Sequence, residues 1–309
     1  MKEPAGVARL IAERVEEFFT PRSSEAKPMR VIEKVKEMQS WSDAERLAGR
    51  RIALVPTMGA LHEGHLALVR AAQKLGDRVV VSLFVNPAQF APGEDFAAYP
   101  RDFARDRALL EKESVDVLFH PAAAEVYPAG FETHIDVERL APLLCGEFRA
   151  GHFRGVATVV AKLFNMVRPR AAVFGEKDYQ QLQVIRRMAR DLDFEVEIAG
   201  HPTVRDADGL ALSSRNAYLS ARERTAALSL SHALKRAESL VAAGERSAGP
   251  IVAAARAAIA AEPLAEIEYV KLCDPDTLEE IPLIERAALL ALAVRIGAAR
   301  LIDNAMLKT

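Results

Sequence analysis

RIALVPTMGALHEGHLALVRAAQKLGDRVVVSLFV, residues 51–85, is the stretch that decides the fold. It opens on a short apolar β-rich run, Ile52 to Val55, and passes through a turn at Pro56-Thr57-Met58-Gly59. Leu66, Val69, Ala72 and Leu75 then recur at helical spacing, and Gly76 closes that helix. A second β-rich run, Val79 to Val85, follows at once, so strand, helix and strand alternate and imply parallel pairing.

The pattern repeats outward. Val115 to His120, Ala171 to Phe174 and Glu195 to Ala199 are further β-rich runs, and Val156 to Val167, stopped by Arg168 and Pro169, is another helix. The fold class expected is α/β, a parallel sheet with helices on both faces, spanning residues 29–203. In such sheets the ligand crevice lies at the carboxyl ends of the strands. The residues there are polar: Pro56-Thr57-Met58-Gly59, Asn86-Pro87-Ala88-Gln89 and Gly175-Glu176-Lys177-Asp178. Beyond Thr203 come a hairpin across Asp206 to Gly209, a long helix from about Ser220 to Ala243, and strands near Ile267 to Leu272 and Leu289 to Val294. These make residues 204–309 a smaller α+β C-terminal domain. Residues 1–28 form an N-terminal extension with an amphipathic stretch, Val7 to Phe19, and no pattern of a secretory or transit signal.

The chain has 309 residues, half of them apolar, with 41 basic and 43 acidic side chains and a net charge of −2. That is enough for about two domains with a sizeable core. The charge balance gives no sequence-independent reason to bind nucleic acid or an anionic membrane, so an anionic ligand must be met locally. No apolar run reaches the roughly 18 residues a membrane span needs. Cys145 and Cys273 share no metal-ligand or redox spacing and read as packed, reduced thiols in a cytoplasmic protein.

Three constellations carry chemistry. His62 and His65, three apart at the start of a helix, sit where unpaired N–H groups and the helix dipole favour an anion, and Gly64 lets a ligand approach. An isolated pair at this spacing is more often two surface histidines. A zinc hydrolase reading fails, because metalloprotease helices place their histidines four apart. Lys177 faces the positive end of the next helix, an unfavourable place that an anionic ligand would reverse, while Asp178 could equally cap that helix. Ser213, Ser214 and Arg215 form a donor set suited to triphosphate oxygens, although such a tripeptide is usually a polar turn.

Five ordered segments now carry a resemblance: Pro56 to His65, Phe84 to Phe90, Gly151 to Val156, Phe174 to Gln181 and Asp208 to Asn216. Together they resemble the pantothenate synthetase family, pantoate–β-alanine ligases of the class of nucleotidyltransferases with an H-x-G-H signature. The likeness runs from about Met29 to the C-terminus, with small departures at Ala88 and Ala150. It implies a Rossmann-like first domain, a homodimer, and an ATP-dependent reaction in which pantoate is adenylated and the amine of β-alanine displaces AMP. It implies that Met58, Gly59, Ala60, Leu61, His62, Glu63, Gly64 and His65 contact ATP, with His65 as proton donor. Gly175, Glu176, Lys177, Asp178, Val204, Leu212, Ser213, Ser214 and Arg215 complete that ATP site. Catalysis falls to His62, His65, Lys177, Ser214 and Arg215, and pantoate binding to Gln89 and Gln181. Mg2+ is expected beside the phosphates, with Asp106 as its ligand, although Arg101 to Glu113 is also an ordinary charged helix face. An adenylyltransferase that stops at AMP transfer, or a nucleotide-binding protein without catalysis, remains open.

Overall fold

The structure, a computed structural model, describes residues 28–309. The amphipathic stretch Val7 to Phe19 lies outside them. Six strands, β1 (Arg30–Ile32), β2 (Ile52–Thr57), β3 (Arg78–Leu83), β4 (Val117–Phe119), β5 (Ala171–Gly175) and β6 (Glu197–His201), form one sheet in the order β1-β4-β3-β2-β5-β6. Every pairing is parallel. The connecting helices are α1 (Val35–Leu47), α2 (Glu63–Leu75), α3 (Phe103–Lys112), α4 (His152–Val167) and α5 (Tyr179–Asp191).

Alternation along the strands sorts the core into two layers. Ile52 and Leu54 of β2 and Val80 of β3 pack with Val156, Val160 and Leu163 of α4. Their neighbours Ala53, Val55, Val79 and Val81 pack with Leu68, Val69 and Ala72 of α2 on the opposite face. Both faces are therefore covered, which explains why these strands read as continuous apolar runs. The chain turns from one side of β2 to the other between β3 and β5, so β2 and β5 flank the switch point where a ligand crevice opens.

The five strands expected from the sequence are present, and β1 is an addition, too short to show alternation. The helix expected from Val156 begins earlier, at His152, because Gly151 at its N-cap takes a left-handed φ of 78°. It ends where expected: Arg168, the C-cap, leaves the helix at φ 48°, and the proline after it cannot continue the helix.

The C-terminal portion holds α6 (Ala221–Ala242), α7 (Ala248–Ala260) and an antiparallel sheet of β7 (Ala265–Cys273), β8 (Ala287–Ile296) and β9 (Ala299–Lys308). Ser220 and Glu223 close a capping box at the start of α6. The expected hairpin exists as a tight turn in which Gly209, at φ 94°, donates its N–H to Asp206. Strand β8 is buried on both faces: Leu290, Leu292 and Val294 join the core under α6 and α7, while Leu289, Ala291 and Ala293 join the core beneath the first sheet. No helix among the described residues is long and apolar enough to cross a membrane.

Candidate active site

A cavity opens at the carboxyl ends of β2, β3, β5 and β6, at the switch point. Its wall includes apolar side chains, Pro56, Phe84, Val156, Val159, Val160 and Leu163, and a polar set that brings together His62, His65, Lys177, Ser213, Ser214 and Arg215. Donors from three distant stretches of chain thus face one space.

The imidazoles enter through the turn between β2 and α2. Gly59 and Ala60 take positive φ, 87° and 51°. Their turn is braced by Asp106, whose two carboxylate oxygens accept from the N–H groups of Ala60 and Leu61 at 2.8 Å each. His62 is the N-cap of α2, and a Cβ at Gly64 would come within 3.0 Å of the His62 ring. Glycine at that position is what lets the ring lie flat against the helix start. The two ring centroids are 4.1 Å apart. His65 Nδ1 accepts from the His62 backbone N–H at 3.4 Å, which leaves the proton of the neutral ring on Nε2. Burial first, then the Lys177 ammonium, pulls His62 down to about 4; burial, His62 and Lys177 pull His65 to about 3. Both rings are neutral at physiological pH, and His62 Nδ1 is buried without a hydrogen-bond partner.

Lys177 lies in a short turn, Glu176–Asp178, just before α5, with its ammonium 3.6 Å from the Asp178 carboxylate. Asp178 makes no capping hydrogen bond to α5; its carboxylate stands on the cavity wall instead. Ser214 donates to the carbonyl of Ala60 at 3.1 Å. Arg215 makes two 3.0 Å bonds to Asp95 at the rim.

Gln89, also on the cavity wall, is buried, its amide oxygen accepting from Asn86 at 3.0 Å and its Nε2 donating to Met58 Sδ at 3.0 Å. Asn86 is itself held by the Tyr127 hydroxyl and the Gly155 carbonyl. Gln181 lines the cavity with no hydrogen-bond partner among the described residues. His152 donates from Nδ1 to the Gln89 carbonyl at 2.8 Å and accepts at Nε2 from Arg149, whose other nitrogens hold Glu94. Burial lowers its pKa to about 4, in keeping with a neutral ring.

Of the expected site residues, Met58, His62, Gly64, His65, Gln89, Gly175, Lys177, Asp178, Gln181, Val204, Leu212, Ser213, Ser214 and Arg215 line this cavity. Gly59, Ala60, Leu61, Glu63 and Glu176 are not on its wall. The N–H groups of Ala60 and Leu61 serve Asp106, Glu63 pairs with Arg70, and the Glu176 side chain lies where a Cβ on Gly200 would be. Asp106, the expected metal ligand, is fully buried and off the cavity wall, and each of its two oxygens accepts a backbone N–H. No three His, Cys, Asp or Glu side chains among the described residues gather as a metal-binding group. Asn86, Asp95, Tyr99 and His152 were not among the expected site residues. The place of Asn86 directly after a strand of the sheet was the available signal; nothing local marks Asp95.

Residues 30–306 match the family model described as pantoate-beta-alanine ligase. A pantothenate synthetase of Heliobacterium modesticaldum is 57% identical over 276 residues, covering 89% of this chain and 98% of that protein. A solved pantothenate synthetase of Thermus thermophilus is 48% identical with a TM-score of 0.86, covering 90% of this chain and 99% of that one. A pantoate-beta-alanine ligase from Francisella tularensis, solved with βγ-ATP and β-alanine, is 32% identical with a TM-score of 0.75, covering 90% and 97%. With a family-model match from residue 30 to 306 and likeness over nearly the whole length of these relatives, the chain belongs to the pantoate-beta-alanine ligase family.

Proposed function

We propose that the polar side chains of the cavity wall receive the triphosphate of ATP and the apolar ones receive pantoate. The chain condenses pantoate with β-alanine to pantothenate through pantoyl adenylate, releasing AMP and pyrophosphate, the reaction of its family. The two methyl groups of pantoate suit the Val156, Val159 and Val160 wall, and the amides of Gln89 and Gln181 suit its hydroxyls and carboxylate because they both donate and accept. Val204 and Leu212 flank the adenine.

In the first step the pantoate carboxylate attacks the α-phosphate, and charge grows on the bridging oxygen of the departing pyrophosphate. His65 Nε2–H, His62, Lys177, Ser214 and Arg215 are donors already in place for that charge, so they stabilise the transition state more than the ground state. Arg215 exchanges Asp95 for phosphate oxygens. A triphosphate beside the rings offsets the repulsion from Lys177 and raises both histidine pKa values, so that His65 can take up a second proton and pass it to the departing pyrophosphate. In the second step the neutral β-alanine amine attacks the pantoyl carbonyl, the C–O bond to AMP breaks, and the nitrogen gives its surplus proton to water.

Asp178, the acidic residue on the cavity wall, fits a magnesium ion held mainly by phosphate and water, which would neutralise phosphate charge. The division near residue 203 follows the same reading, with the 204–309 unit supplying Leu212 to Arg215. The family resemblance supports a homodimer, and two buried, unbridged cysteines support a cytoplasmic setting.

The observation that carries this reading is the shared cavity of two neutral imidazoles, Lys177 and Arg215 beside an apolar wall. AMP release from ATP is expected to need both pantoate and β-alanine; release indifferent to β-alanine overturns the ligase. His65→Ala is expected to slow adenylation at least about 100-fold. Unchanged turnover would remove His65 from catalysis.

A further inference from the structure

We propose that Asn304, on the last strand of the chain, is a positioning residue for Lys177. Its side-chain Nδ2 donates to two successive backbone carbonyls, those of Glu176 at 3.0 Å and Lys177 at 2.8 Å. An amide nitrogen has two hydrogens, one for each carbonyl, and no other small side chain offers that pair from one atom without a charge. The two carbonyls belong to the turn that carries the lysine, between β5 and α5. Among the described residues the ammonium pairs only with Asp178, 3.6 Å away, so its place in the cavity follows its backbone.

The strand that brings Asn304 is itself fixed. Asp303, the residue before it, is 3% exposed and accepts two bonds from Arg205, at 2.6 and 2.9 Å. Arg205 also donates to the Gly209 carbonyl, and the hairpin it closes runs directly into Leu212 to Arg215. Neighbouring side chains of a strand leave on opposite faces, so one dipeptide reaches two different loops of the site. The C-terminal sheet thus acts as a jig: it holds the lysine turn through Asn304, against a strand anchored by Asp303. A lysine whose backbone is released can miss its phosphate by an ångström, enough to cost a large factor in rate.

The proposal rests on the reading that Lys177 meets a triphosphate, and the test separates the two. Pantoate-dependent exchange of labelled pyrophosphate into ATP is measured for the wild type, Asn304→Ala, Lys177→Ala and the double variant, below their melting temperatures. Asn304→Ala is expected to lower the exchange kcat about 10- to 100-fold with the KM for pantoate within about 2-fold. In the Lys177→Ala background the same change is expected to cost less than about 2-fold, because the two residues act as one unit. Equal losses in both backgrounds, or no loss in the single variant, overturn the proposal. Asn304→Ser, which keeps a donor but cannot bridge both carbonyls, replaces the alanine variant if that one does not fold. A wild type without pantoate-dependent exchange sinks the substrate assignment. Calorimetric binding of ATP to the same four proteins then reads the coupling, with additive losses again overturning it.

Discussion

Gly59 and Ala60 show how a single buried carboxylate can set the turn that leads to the paired imidazoles. Their positive φ values aim the N–H groups of Ala60 and Leu61 at one point, and Asp106 fills it with both oxygens at 2.8 Å. A Cβ on Gly59 would stand 3.0 Å from the same carboxylate, so this φ and this spacing both call for glycine. The next residue is the His62 N-cap, so Asp106 reaches the imidazoles through the backbone. Asp106→Asn turns one acceptor into a donor facing an N–H, and adenylation is expected to fall about 10-fold or more with the Mg2+ requirement unchanged. Titrating activity against Mg2+ decides it; a raised half-saturating concentration would return Asp106 to the metal. The sequence shows an acid on a charged helix face, but not which backbone groups that acid meets.

Among the elements, α4 is seated closely against the loop after β3. Gly155 passes the loop after β3 so closely that a Cβ would lie 2.2 Å from the Ala88 carbonyl oxygen and 2.6 Å from the Gln89 nitrogen. That approach lets Asn86 bond the Gly155 carbonyl while it holds Gln89, and lets His152 bond the Gln89 carbonyl. Gly155→Ala is expected to cost about 1–3 kcal/mol of stability through overpacking and to raise the KM for pantoate by moving Gln89. Thermal melts together with pantoate saturation curves check it. A variant with native KM would show that the loop, not the helix, sets Gln89. The helical period of α4 was readable from Val156 to Val167; its first turn was not, because Gly151 and His152 belong there only once the loop is in place.

Across the whole molecule, three largely buried histidines set a pH limit. His62 and His152 are held down to about 4 and His65 to about 3, each chiefly by burial, against an ordinary 6.5. The unfolded chain therefore takes up protons below about pH 6.5 that the native chain refuses, so the stability of the neutral rings is complete above 6.5 and lost as pH falls toward 4. The melting temperature is expected to hold from pH 8 to about 6.5 and then to drop before carboxylates titrate, with a smaller drop in His152→Gln. A flat curve down to pH 5 would contradict the burial of the rings. From sequence alone came the alternation of strand and helix, the parallel sheet and the polar residues at its carboxyl edge, because these rest on periods of two and 3.6 residues and on short-range turn chemistry. Only the tertiary structure decided that Asp95 holds Arg215, 120 positions away, and that Asn304 holds the turn of Lys177, 127 positions away. Such pairings depend on strand register and on how one unit packs against another, and no local periodicity encodes them.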